Sequence, residues 1–300
     1  MQKQKIVLAA IATSLLAGCA GMHDTDKKHE MREKHGGASH TQAPDQEILR
    51  QNAALLANTQ GKNFGPQSPR DIDLLIGSNN RTFEVAPSYQ NMNLCNIHFH
   101  KNAEHKGGEF TKYAGNGDGH GYQSGYLYTG KLSPSEAKPV SKNICPSKHG
   151  SLSTGDTIEL HYVFSTAPVT PGPTLGACLH NSVKNPLLRV ETQVFVLVND
   201  ARALDFKQLT AHGVKNNFQQ ALYIPENMGK AIQYAGSTTG PGYNEKGSPF
   251  LVSWSVRPKV AKVNIETVGQ WCQDNVFKED HAHGVRNLVI EPKLLSNMAK

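Results

Sequence analysis

The run Cys95-Asn96-Ile97-His98-Phe99-His100 places two histidines two positions apart in an apolar, strand-like stretch. Alternate side chains of a strand share a face, so His98 and His100 point the same way, about 6.6–6.8 Å apart, while Phe99 faces the core. Two imidazoles at that spacing can converge on one metal ion. A second run, Asp156-Thr157-Ile158-Glu159-Leu160-His161-Tyr162-Val163-Phe164, repeats the pattern and sets Glu159 and His161 on one face. The carboxylate can hold the imidazole in one tautomer, and His161 makes a third nitrogen. Three such ligands and a fourth place left to water describe a catalytic zinc. Taken alone, His-x-His on a strand also fits partly buried, hydrogen-bonded histidines.

Other residues compete for that role. His281-Ala282-His283 has the same spacing, but beside Glu279, Asp280 and Gly284 it has little strand character and reads as a surface or loop pair. Cys95 and His98 have the Cys-x-x-His spacing of a metal site. Strand alternation puts Cys95 on the face opposite His98 and His100. Asn116 and Asp118 sit in a glycine-rich stretch with the start of a calcium-loop pattern and no closing Glu, so turn chemistry accounts for them better.

The elements that must position these groups are mostly strands. Apolar periodicity predicts a short helix over Asp45 to Asn58. Strands are expected at Ile72–Ile76, Arg81–Val85, Asn93–His100, Glu109–Tyr113, Gly121–Tyr128, Thr157–Phe164, Arg189–Val198 and Phe250–Val256, between Gly- and Pro-rich connections. Val194 to Val198 is continuously apolar and reads as a central strand buried on both faces. The pattern implies a mainly β fold, a single domain built on a large twisted central sheet with peripheral short helices.

The stretch around His98 and His100 resembles the δ-class carbonic anhydrases, and further segments are similar to the related α class. Gln67-Ser68-Pro69-Arg70-Asp71-Ile72 matches an α-class motif, Glu104-His105 follows the first histidine pair, Tyr234-Ala235-Gly236-Ser237-Thr238-Thr239-Gly240-Pro241 is similar to the Thr-Thr active-site loop, and Val252-Ser253-Trp254 resembles the strand walling the substrate pocket. The resemblance covers most of residues 64–290 and implies the α-class architecture. It implies reversible hydration of carbon dioxide to bicarbonate and a proton by a hydroxide generated on Zn²⁺, with His98, His100 and His161 as ligands. Glu159 and His105 would stand behind the ligands, and Thr238 with Glu104 would aim the nucleophile. Thr239, Val163, Val252 and Trp254 would form the substrate pocket. The loop from His100 to Glu104 is shorter than in the α class, and the Thr-Thr loop is one residue short. Asn79-Asn80-Arg81-Thr82-Phe83 lacks the family's proton-shuttle histidine, leaving His120, His149, His180, His212 or water for that task.

Lys3 and Lys5 precede an apolar run, Ile6 to Leu16, that is too short to span a bilayer and has the layout of an export signal. Leu16-Ala17-Gly18-Cys19 resembles a bacterial lipobox, which implies a signal peptide over 1–18 and a lipidated Cys19. The expectation is a protein of the bacterial cell envelope, membrane-anchored through lipid and facing the periplasm; a secreted protein with a stray cysteine is the alternative. Residues 19–44 are polar, contain His23, His29, His35 and His40, and read as a flexible tether before the catalytic domain at 45–300. The formal charge of +6 is dispersed and no nucleic-acid motif is present, so nucleic acid is not an expected partner. Cys95, Cys145, Cys178 and Cys272 allow three disulfide pairings, among which the sequence does not choose. Two other functions fit three histidines: a zinc-acquisition lipoprotein without turnover, and a zinc hydrolase, which the lack of a His-Glu-x-x-His helix disfavours.

Overall fold

The computed structural model describes residues 42–238 and 243–298; these belong to one unit, His40–Lys300. The lipobox cysteine Cys19, the tether histidines and Thr239 lie outside the described residues. The chain starts with helix α1 (Asp45–Thr59), whose first turn carries Asp45 and Glu47 at the positive end of the helix dipole. The strands follow as β1 (Asn93–Lys101), β2 (Lys112–Tyr113), β3 (Tyr126–Leu127), β4 (Ile144–Ser147), β5 (Gly150–Leu152), β6 (Thr157–Ser165), β7 (Leu188–Val198), β8 (His212–Lys215), β9 (Phe218–Ala221), β10 (Ile232–Ser237) and β11 (Leu251–Asn264). Two short helices, α2 (Phe206–Leu209) and α3 (Ile265–Trp271), complete the regular elements besides brief 3₁₀ turns.

β1, β6, β7, β11 and β10 form a five-stranded sheet in that order. All its neighbours are antiparallel except β7 and β11. A parallel pair needs a long crossover, supplied here by residues 199–250. All eleven residues of β7 are buried, as its apolar run and middle position require. One face carries Ile97, Phe99, Leu160, Tyr162, Phe164, Phe195 and Leu197 against Phe206, Val268 and Trp271 of the short helices. The other carries Val163, Val190, Val194, Val252 and Trp254, and on this side stand the histidines. No helix among the described residues is long and apolar enough to cross a membrane.

Some expected strands are absent or short. Residues 72–76 form no strand, because the Arg70 guanidinium binds the carbonyls of Leu74 and Ile76 and curls the chain around itself. Residues 81–85 are also irregular, with Val85 exposed. The strands expected at 109–113 and 121–128 shrink to the two-residue pair β2 and β3, since the intervening glycines hold turns with positive φ at Gly115, Gly117, Gly119 and Gly121. β11 instead runs past the Arg257-Pro258 step. A register shift between Val256 and Val260 absorbs the proline, which has no N–H to offer a ladder.

The disulfides are Cys95–Cys178 and Cys145–Cys272. Cys95 therefore is no thiolate ligand, though strand alternation misplaced it. The β1–β6 register slips between Leu94 and Asn96, and the extra residue in this bulge, Cys95, joins Val163 and Trp254 on the histidine side.

Candidate active site

β1 and β6 pair with His98 opposite His161 and His100 opposite Glu159. Ring centroids are 5.3 Å apart for His98 and His100, 5.1 Å for His98 and His161, and 4.8 Å for His100 and His161. One nitrogen of each ring lies within 4.8 Å of those of the other two.

The partners of the remaining nitrogens decide the tautomers. His98 Nδ1 meets Asn96 Oδ1 at 2.7 Å, His100 Nδ1 meets the Gly284 carbonyl at 2.9 Å, and His161 Nε2 meets Glu159 Oε1 at 2.6 Å. Each oxygen is an acceptor, so each of these nitrogens carries the ring proton and the lone pair falls on the other nitrogen. His98 Nε2 and His161 Nδ1 then confront each other across 3.3 Å with no hydrogen between them. His100 Nε2 is buried without a hydrogen-bond partner among the described residues. Nitrogens about 2.0–2.1 Å from a tetrahedral zinc stand about 3.3 Å apart. The donor set fits a divalent cation.

The charges agree with neutral imidazoles. Burial holds the His98 ring well below its ordinary pKa, with His161 and His100 adding to the effect. Burial brings His100 down to about 4, and lowers His161 against the pull of Glu159. Desolvation works against the charge on Glu159, but His105 and His161 outweigh it and keep the carboxyl well below the usual range. Both Glu159 oxygens are saturated: Oε1 accepts from His161 and from His105 Nδ1 at 2.7 Å, and Oε2 from the backbone N–H groups of Glu104 and His105 at 2.8 and 3.0 Å. His105 Nε2 in turn accepts from the Tyr234 hydroxyl at 2.6 Å. Protons thus fill the space between His105, Glu159 and His161, which also cluster closely enough to suggest a metal.

A cavity of about 530 Å³ opens on His98, His100 and Glu104. Val163, Val252 and Trp254 do not line it. They pack beneath the histidines, with the Trp254 ring 5.3 Å from that of His161, and the open apolar lining comes from Leu175 and Val285. Thr238 is buried, and its Oγ1 lies 3.3 Å from Ser248 Oγ. Glu104 Oε1 accepts the Arg286 N–H at 3.0 Å, its Oε2 has no partner among the described residues, and burial raises its pKa.

A family model for delta carbonic anhydrase matches residues 89–267, more than half of the chain. The chain belongs to the delta carbonic anhydrase family. As a carbonic anhydrase it takes carbon dioxide and bicarbonate as its small-molecule substrates. Among solved structures, the Photobacterium profundum alpha-carbonic anhydrase is 15% identical, with 76% of this chain and 88% of that one covered and a TM-score of 0.25. An alpha-carbonic anhydrase from Thermovibrio ammonificans, solved with the inhibitor sulfanilamide, gives 16%, 74%, 84% and 0.26 for the same measures. A hyperthermostable carbonic anhydrase from an active hydrothermal vent chimney gives 14%, 77%, 87% and 0.27. At these scores the family assignment rests on the match over 89–267 alone. No curated protein matches the sequence.

Several residues of this candidate site escaped the sequence reading. Asn96 had a signal, since it lies two positions before His98 and so shares its face. The Gly284 carbonyl had none. His283 lines the cavity, its ring 5.5 Å from that of His98. The segment is not a bare surface loop: it hydrogen-bonds along β1 through Phe99 and Lys101. Burial works against charge on His283, but Glu279, 2.6 Å away, raises its pKa. Of the proposed proton carriers only His120 lines this cavity. His149 stacks on Tyr122, His180 bonds Ser182, and His212 packs on Phe277.

Proposed function

We propose that this chain hydrates carbon dioxide reversibly with Zn²⁺ held by His98 Nε2, His100 Nε2 and His161 Nδ1. The observation that carries the proposal is the convergence of three lone pairs whose opposite ring nitrogens are each tied to an oxygen. Bound there, zinc supplies a water acidified to a pKa of about 7. Asn96, Gly284 and Glu159 keep the rings turned toward one point. Thr238 would donate a hydrogen bond from its hydroxyl to Glu104 Oε2, so that its oxygen is left to accept a hydrogen bond from the nucleophile. Val163, Val252 and Trp254 exclude water from the floor, and Thr239 flanks the substrate by the family pattern. The export signal and lipobox support attachment through Cys19 in the cell envelope, facing the periplasm.

The test is stopped-flow carbon dioxide hydration by purified protein, with zinc measured on the same sample. One zinc per chain, and activity that a chelator abolishes and zinc restores, is the expected result. One zinc without hydration would support the acquisition lipoprotein and overturn the proposal.

A further inference from the structure

Arg286 is a charged residue in an expensive place. It is 8% exposed, and its Nε is buried without a partner among the described residues. A guanidinium taken out of water with donors unmet costs stability. What it touches belongs to the site. Its backbone N–H donates to Glu104 Oε1, while Nη1 reaches the Thr238 carbonyl at 3.3 Å and Nη2 the Tyr243 carbonyl at 3.4 Å. The next residue extends the grip, since Asn287 donates its N–H to Asn244 Oδ1 at 2.9 Å and its side-chain amide to Gln51 of α1 at 2.6 Å. Arg286 also lines the cavity together with His98, His100 and Glu104.

From this geometry we infer that Arg286 is a positioning residue, one that holds the Thr238 backbone and the Glu104 carboxylate in fixed relation so that the threonine hydroxyl faces the metal site. The inference rests on the proposed roles of Thr238 and Glu104. Lysine keeps the charge, but a single ammonium does not reproduce the planar fork that reaches two carbonyls. A misplacement of 1 Å at a reacting group can cost about 10²-fold in rate.

Two measurements test it on the full chain, with Arg286→Lys as the main variant and Arg286→Gln as the second should the first misfold. The first is hydrogen–deuterium exchange of the zinc-loaded protein. The Thr238 N–H, bonded to the Phe250 carbonyl at 2.7 Å, should exchange at least tenfold faster in the variant, while the β6 amides stay at the wild-type rate. The second is kcat/KM for carbon dioxide at equal zinc content. Arg286→Lys should lose about 10²-fold, and Arg286→Lys with Thr238→Ala should be no slower than Thr238→Ala alone. Unchanged exchange at Thr238, faster exchange spread evenly through the sheet, or additive losses in the double variant would each overturn the inference. Wild-type protein that binds zinc and hydrates nothing, with the exchange effect present, would sink the proposed function and leave the clamp standing.

Discussion

Asn96 tests the tautomer argument at the level of single residues. Replacing it by Ala frees His98 Nδ1 from its acceptor, so the lone pair at Nε2 is no longer enforced; zinc affinity should fall about 10–100-fold. Competition with a chromophoric chelator measures this, and an unchanged affinity would show that the ring is oriented by packing alone. The buried histidines also set a pH dependence for the metal-free protein. His100 is lowered to about 4 when folded against about 6.5 when unfolded. Between these values the unfolded chain binds the extra proton, so stability rises with pH across the window. Acidification from pH 7 to pH 4 should therefore remove about 3 kcal/mol through His100, with His98 and His161 adding in the same direction. Urea titrations of chelator-treated protein at several pH values read this directly, and flat stability from pH 7 to pH 4.5 would contradict it. The converging histidines were legible because their i, i+2 spacing is itself the geometry of a strand face. Arg286 and the Gly284 carbonyl were not, because they arrive from about 180 positions away along the chain, where no local period connects them to β1.

Among the elements, β1 matters most, since it carries two of the converging histidines on one face and packs its other face into the core. Phe99 is fully buried, with ring centroids 5.5 Å from Phe206 and 5.9 Å from Trp271. Truncation to Ala should cost about 3–5 kcal/mol and weaken zinc binding as well, because the strand then sits on a cavity between its two ligands. Denaturant unfolding with and without zinc separates the two losses. The long strands β1, β6 and β7 were readable from alternation or continuous apolarity. The short ones were not: β2 and β3 are set by contacts across a glycine-rich turn, and the stretch after Arg70 by side-chain bonds to its own carbonyls. The bulge at Cys95 was equally hidden, since an inserted residue reverses the facing of everything before it without altering composition.

For the molecule as a whole, two long-range crosslinks join distant segments: one ties β1 of the central sheet to Cys178, and the other ties β4 to the end of α3. Cys95–Cys178 spans 83 positions and Cys145–Cys272 spans 127, separations at which each bond is worth about 3–5 kcal/mol on the loop-entropy argument. The first also fastens the Thr174–Gly176 part of the cavity wall to the strand that carries His98 and His100. Replacing Cys95 and Cys178 by Ser should lower the denaturant midpoint and reduce activity at equal zinc, whereas removal of Cys145–Cys272 should lower the midpoint with little effect on the activity of the folded fraction. Equal effects of both replacements on that activity would refute the distinction. A practical boundary follows from α1. Its Arg50 and Asn58 bind Glu245, and its Gln51 binds Asn287, so anyone shortening this protein should not trim into the helix, which moors the segments next to Tyr243 and Arg286 in the cavity wall.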